Sequence, residues 1–199
     1  MIKDIFLNFN WVDVLIICLL VRTVFVGAKN NIFVELLMLL GALCSTFIIL
    51  HYYGRFGDCL NKNIFLPATM QDLFAFILIW LTVEIVFKLI VNGWSLLFKV
   101  ETQAALNEWV SAIIAAVRGI IFCGLLFVFL LLSGNDYVKR ISQQSFTGFY
   151  LVDFSPRIYR LMYEGLVSRF FPDEPVNGRV FELEKTKDQK KRFDKKKSD

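Results

Sequence analysis

At 199 residues the chain has the length of one domain, but 56% of it is hydrophobic and 21 residues are Phe, more apolar side chain than a soluble core of that size requires. The formal net charge is +4, and Arg179 to Asp199 alone hold nine Lys or Arg against five acids, so the remainder is balanced and offers no folded basic face for specific nucleic-acid recognition. No Walker-type loop, GxSxG or HExxH occurs, so no catalytic residue is assigned and an enzyme is not expected.

A bilayer core of about 30 Å requires about 20 predominantly apolar residues of helix. Four windows of that kind follow one another along the chain, the first from Trp11 to Ala28. Its apolar run continues to Val26 with Arg22 inside it, and no small-x-small cleavage pattern follows, so it reads as a retained helix rather than a secretory signal. Asp13 is expected near the headgroups, capping this helix, with a buried functional acid as the alternative. Gly27, Asn30 and Asn31 predict a tight turn, because Gly and Asn accept positive φ at little cost. Windows one and two should then form an antiparallel hairpin.

The second window, Ile32 to Tyr53, opens with Glu35, carries Gly41 and Ser45 at spacing four, and ends in HYYG, where His51 reads as an interfacial anchor. Gly54 to Asp72 is polar and Gly-rich with Pro67, which predicts a loop with Thr69 and Asp72 as candidate N-caps. The third window, Leu73 to Val91, contains Glu84 and Lys88. The run from Asn92 to Glu108 mixes apolar and charged residues and is open to two readings, an interfacial helix or a partial re-entry.

The fourth window, Trp109 to Leu132, holds Arg118 within IIAAVRGIIFCGLL. Ser111, Ala115, Gly119 and Cys123 recur every four residues, and rows of small side chains permit close helix contact in lipid. Arg118 follows Ser111 by seven residues and so shares that face, directed at protein.

Beyond Leu132 the segment SPRIYRLMYEGLVSRFF has Ser155 placed as an N-cap and Pro156 in the first turn, with Ile158, Leu161, Met162 and Leu166 on one face. Such a helix either lies in the headgroup plane or packs on the base of the protein itself. From Pro172 onward few apolar residues remain, which predicts a disordered basic tail attracted to anionic lipid headgroups. Cys18, Cys44, Cys59 and Cys123 show no CxxC or Cys/His spacing, so buried free thiols are expected, and neither a metal nor a cofactor.

Lys3, Arg55, Lys62, Lys139 and Arg140 fall on one side of this topology and Lys29 and Lys99 on the other, with Lys88 close by, which favours cytoplasmic termini. At ~1.5 Å per residue, Glu35 lies about 6 Å, Arg22 about 8 Å, Glu84 about 10 Å and Arg118 about 15 Å from the face holding the turn at Lys29. Helical side chains lean toward their N-terminus, which brings the four toward one layer. Because a charge at the bilayer centre costs about 2.5 to 3.5 kcal/mol on insertion scales, a network is expected in which Arg118 pairs with Glu84 or Glu35, and Arg22 with Glu35. Its role is either an ion or proton pathway or a structural tie that fixes the assembly.

The run NWVDVLIICLLV, the turn leading to FVELLMLLG and HYY, the third span, VSAIIAAVRGIIF and SPRIYRL together resemble the bacterial colicin V production protein family over about residues 10 to 165. Two departures are visible: KNNIFVE, with Asn30 and Asn31 where that family has a basic-Gly pattern ahead of the Glu, and Asn107-Glu108 where it has Asp-Arg. The resemblance implies a four-span protein of the bacterial inner membrane associated with bacteriocin production or export and envelope maintenance. It implies no mechanism.

The expectation is an all-α polytopic membrane bundle, with a four-helix transmembrane domain over 1–135, an amphipathic interfacial segment over 136–171 and the tail over 172–199. Expected partners are the bilayer and further copies or other membrane proteins. A small oligomeric channel or transporter using the Glu/Arg layer is the alternative.

Overall fold

The computed structural model describes residues 10–63, 67–97, 104–133, 135–151, 154–170 and 174–180. Four long helices form the body: α1 (Trp11–Ala28), α2 (Ile32–Asn63), α3 (Ala68–Leu97) and α4 (Ala104–Leu132). Each is long and apolar enough to cross a membrane, so the chain is an all-α multi-pass membrane bundle. Three short helices follow, α5 (Asp136–Gln144), α6 (Phe146–Leu151) and α7 (Phe154–Met162), the last continuing through a π-helical turn at Tyr163–Val167 into Ser168–Phe170.

α4 is the central helix: 56% of its apolar window is buried, against 22% in α1 and in α3. α1 packs along α4, α2 lies between α4 and α3, and α7 crosses α2 at the base. Side-chain contacts fix the directions. Gly27 meets Ala115 and Thr23 meets Gly119, so α1 runs antiparallel to α4, while Gly41 meets Phe87 and Gly57 meets Asp72, so α3 runs antiparallel to α2. The helices therefore go up, down, up, down, and Asn10 and residues 174–180 sit at the same end, called the base below. The turn at Lys29–Asn31 makes α1 and α2 antiparallel, but α1 leans on α4 rather than on its neighbour in sequence. The small row on α4 is the reason, since it presents the groove into which α1 fits.

Several boundaries differ from the sequence expectation. α2 does not stop at Tyr53 but runs 32 residues to Asn63, about 48 Å at ~1.5 Å per residue, and so projects beyond the hydrocarbon. Gly54 and Gly57, read as loop punctuation, are helical, and side chains from elsewhere in the protein come close there: a Cβ on Gly54 would lie 3.3 Å from Arg179 Cδ, and one on Gly57 2.7 Å from Asp72 Oδ1. Asp72 lies inside α3 instead of capping it. Ser155 also lies inside its helix, its Oγ held against Gly124 of α4, where a Cβ would meet it at 2.5 Å. With Ser155, Pro156 and Tyr159 buried, α7 packs on the protein's own base, the second of the two readings open for that segment.

Residues 174–180, expected within the disordered tail, fold back as a strap. Val180 is completely buried in a core cluster with Ile49, Leu50, Tyr53, Phe76, Leu125, Val128 and Tyr159. The basic tail expected beyond Val180 lies outside the described residues, as do Lys3 and Lys99. Free thiols are not uniformly buried: Cys123 is, whereas Cys18 and Cys59 are exposed. Outward faces of the long helices carry Val21, Phe25, Leu36, Leu81, Leu89 and Ile113, all exposed and apolar, as a lipid-facing surface requires.

Candidate functional site

The first turn of α2 delivers Glu35 to the interior. Asn31 receives the Phe33 N–H on its Oδ1 at 3.1 Å, Asn107 of α4 receives the Ile32 N–H at 2.9 Å, and the Glu35 N–H closes on the Asn31 carbonyl at 3.0 Å. These bonds satisfy helix-start donors that would otherwise be stranded at the membrane edge, and the positive end of the helix dipole suits a carboxylate in that turn. Asn107 Nδ2 also donates to the Asn30 carbonyl at 3.3 Å, so one side chain ties the start of α4 to the α1–α2 turn.

Glu35 is fully buried and Arg118 nearly so. Arg118 Nη2 lies 3.3 Å from both Glu35 oxygens, Nη1 lies 2.6 Å from Met38 Sδ, and Asn30 Nδ2 donates to Glu35 Oε1 at 2.7 Å. A carboxylate and a guanidinium on neighbouring helices thus cancel within the bundle. Among the described residues Glu35 Oε2, Arg118 Nε and Ser111 Oγ have no hydrogen-bond partner. The site is closed from the α1 side by Gly27: a Cβ there would lie 2.1 Å from Ala115 Cβ and 3.1 Å from Glu35 Oε1, so only a glycine allows α1 to approach.

The small side chains singled out by spacing take defined places. Ser111, Ala115 and Gly119 are buried, with Gly119 against Thr23 and Leu20 and Cys123 Sγ directed at the Ile16 carbonyl at 3.7 Å. Gly41 receives the Phe87 ring, and Ser45 is buried beside it along α2. Two of the four charges expected in the layer are not brought together with the others. Arg22 is exposed on α1, Glu84 is half-buried on α3, and among the described residues neither forms an ion pair. Depth along a helix fixes height but not direction around the axis, and both residues lie off the faces that α4 and α2 use.

Sequence reasoning missed the clusters at the base. Asp13 is both capping and buried: its Oδ2 accepts the Asn10 N–H at 2.8 Å and its Oδ1 the Thr147 N–H at 2.8 Å, which ties the start of α1 to α6. His51 is buried rather than an interfacial anchor, stacked on Phe47 with Nδ1 3.0 Å from Tyr159 Oη and Nε2 3.1 Å from Glu174 Oε1, and Arg55 pairs with the same carboxylate. Those hydrogen bonds, from His51 first and Arg55 second, hold the Glu174 carboxyl below its ordinary range. Burial pushes the Tyr159 phenol up, outweighing the N–H that Asn177 donates to it.

Asn177 Nδ2 bonds the Leu50 carbonyl at 2.7 Å, and Arg179 bridges Asp58 at 3.0 Å and Asp72 at 3.1 Å, so the strap joins α2, α3 and α7. The Asp58 hydrogen bond comes first in raising the Arg179 guanidinium further above its usual value. The position of Asn30, five residues before an acid in a turn, carried a local signal, whereas Ile32 and Asn107, His51 and Tyr159, and Asp13 and Thr147 lie more than 70 residues apart.

Among the described residues no group of His, Cys, Asp and Glu has the arrangement of a metal site. In comparison with known proteins, the family model described as "Colicin V production protein" matches residues 12–156, a span that takes in the Glu35–Arg118 pair, Asp13 and the small row but ends before the strap. No curated protein and no solved structure matches the chain.

Proposed function

The chain belongs to the colicin V production protein family, and from that premise we propose that it is a non-enzymatic, self-associating scaffold of the bacterial inner membrane that supports export of a colicin V-type bacteriocin or maintenance of the envelope. Membership supports a role in toxin production, and the family is not a known enzyme family. The observation that supports a scaffold over a pathway is the Glu35–Arg118 pair itself. It joins two helices, is sealed by the Gly27–Ala115 contact, and keeps both charges buried against each other inside the bundle. Both termini on the cytoplasmic side is the orientation favoured by charge: Arg55, Lys62, Lys139, Arg140, Arg157, Arg160, Arg169 and Arg179 crowd the base, whereas Lys29 stands at the opposite end.

The alternative reading, an oligomeric channel or transporter, draws on Glu35 Oε2, Arg118 Nε and Ser111 Oγ, buried atoms without a hydrogen-bond partner among the described residues. The two separate in one experiment. Glu35→Gln and Arg118→Gln variants are assayed for membrane-integrated protein, for toxin release as inhibition zones on a sensitive lawn, and for ion flux in proteoliposomes. The scaffold predicts that integrated protein and toxin release fall together without any wild-type flux to lose; normal integration with lost flux would establish the pathway instead.

A further inference from the structure

Arg22, Glu84 and Lys88 are charges within the spans that take no part in the Glu35–Arg118 pair, called the clasp below. Lys88, exposed one turn beyond Glu84, forms no ion pair with it among the described residues. Arg22 and Glu84 stand at one height. Thr23, next to Arg22, packs on Gly119 of α4, and Trp80, one turn before Glu84, stacks on Phe122 of α4 with ring centroids 6.5 Å apart. Because α3 runs antiparallel to α4, the four residues from Trp80 to Glu84 move about 6 Å from the level of Phe122 to that of Arg118, at ~1.5 Å per residue. Arg22 thus lies within about one turn of the height of Glu84.

These two charges also occupy different outer helices. α1 packs on α4 and α3 packs on α2, and exposed apolar side chains flank each charge, Val21, Phe25 and Val26 beside Arg22 and Leu81 and Ile85 beside Glu84, with Lys88 one turn further along α3. A headgroup is a poor partner for Glu84, because its side chain is short, anionic and tilted toward the N-terminal end of α3, away from the nearer face. Charges of opposite sign at equal depth on two exposed helices of one chain form complementary surfaces for another copy.

We propose that the chain assembles head to tail with further copies of itself, Arg22 of one copy pairing with Glu84 of the next within the membrane. The proposal rests on the self-associating scaffold described above and specifies its surface. Such a contact is heterologous, so the copies close into a ring or continue as an array according to the rotation between neighbours. A guanidinium fork meeting a carboxylate removes both charges from hydrocarbon at once.

The test uses full-length chains carrying two different affinity tags, co-expressed, extracted in mild detergent and captured through one tag. Wild-type chains co-purify. Arg22→Glu chains lose co-purification with one another, as do Glu84→Arg chains, because each creates like charges at the contact. Mixing the Arg22→Glu chain with the Glu84→Arg chain restores capture, and that rescue also shows that both variants fold. Undiminished capture within either single variant overturns the interface while leaving self-association intact. Rescue only when both reversals sit in one chain overturns it too, by assigning the pair to a single copy. Wild-type chains that never co-purify overturn both the interface and the self-association on which it depends.

Discussion

Arg118 and Glu35 show how a membrane interior treats a charge. Neither is tolerable alone in hydrocarbon, and at 3.3 Å they become one neutral unit held further by Asn30 and Met38. Removing one partner should therefore cost more than removing both. Glu35→Ala is expected to lower unfolding free energy by about 3 to 5 kcal/mol by stranding the guanidinium, whereas Glu35→Met combined with Arg118→Met recovers most of that loss; detergent-titrated unfolding in bicelles measures both. Asn107→Ala should cost about 1 kcal/mol in the same assay, since it removes the acceptor of the Ile32 N–H at the start of α2 and the weaker donor to the Asn30 carbonyl, but no charge. Asn30 thus bonds the Glu35 carboxylate through its side chain, and the Asn107 side chain bonds the Asn30 backbone carbonyl.

At the scale of elements, the close approach of α1 to α4 depends on the absence of side chains. Gly27→Ala places a methyl where Ala115 already stands, at 2.1 Å with backbone on both sides, so α1 must shift and the clasp opens. Gly93, also helical, has nothing within 4 Å of its would-be Cβ. Gly93→Ala is accordingly expected to be neutral or to stabilise by about 0.5 to 1 kcal/mol, and Gly27→Ala to destabilise, a contrast read by thermal melting in detergent.

The four spans were legible in the sequence because about 20 apolar residues are what a bilayer demands, whatever the packing. Helix ends were less so: Gly54 and Gly57 read as loop until Arg179 and Asp72 are seen to lie against them. The approach of Glu35 to Arg118 followed from depth along their helices. The outward direction of Arg22 did not, because a helix buried on one side only shows its facing when its neighbour is known. The pairing of His51 with Tyr159 and Glu174, 108 and 123 residues away, has no local signature at all.

Across the whole molecule the base is closed by the strap at 174–180, which engages α2, α3 and α7 through Glu174, Asn177, Arg179 and Val180. Its hold depends on pH in a direction that follows from Glu174. A carboxyl held below its ordinary value binds a proton less readily in the folded state than in the unfolded chain, so its contribution is complete above the ordinary value and fades as pH falls through the lowered one. A spin label at the exposed Val176 should gain mobility on acidification through that window, and Glu174→Gln should abolish the transition while leaving the label more mobile at neutral pH. The strap lies beyond the segment that matches the family.

The most direct test of the account is a double-mutant cycle on Glu35→Gln and Arg118→Gln, measured as unfolding free energy in bicelles with proton flux followed in parallel in liposomes. A clasp predicts that the two effects are strongly coupled, by about 1 to 3 kcal/mol, and that flux is absent throughout. Additive effects on stability, or unchanged stability accompanied by loss of a wild-type proton current, would contradict it.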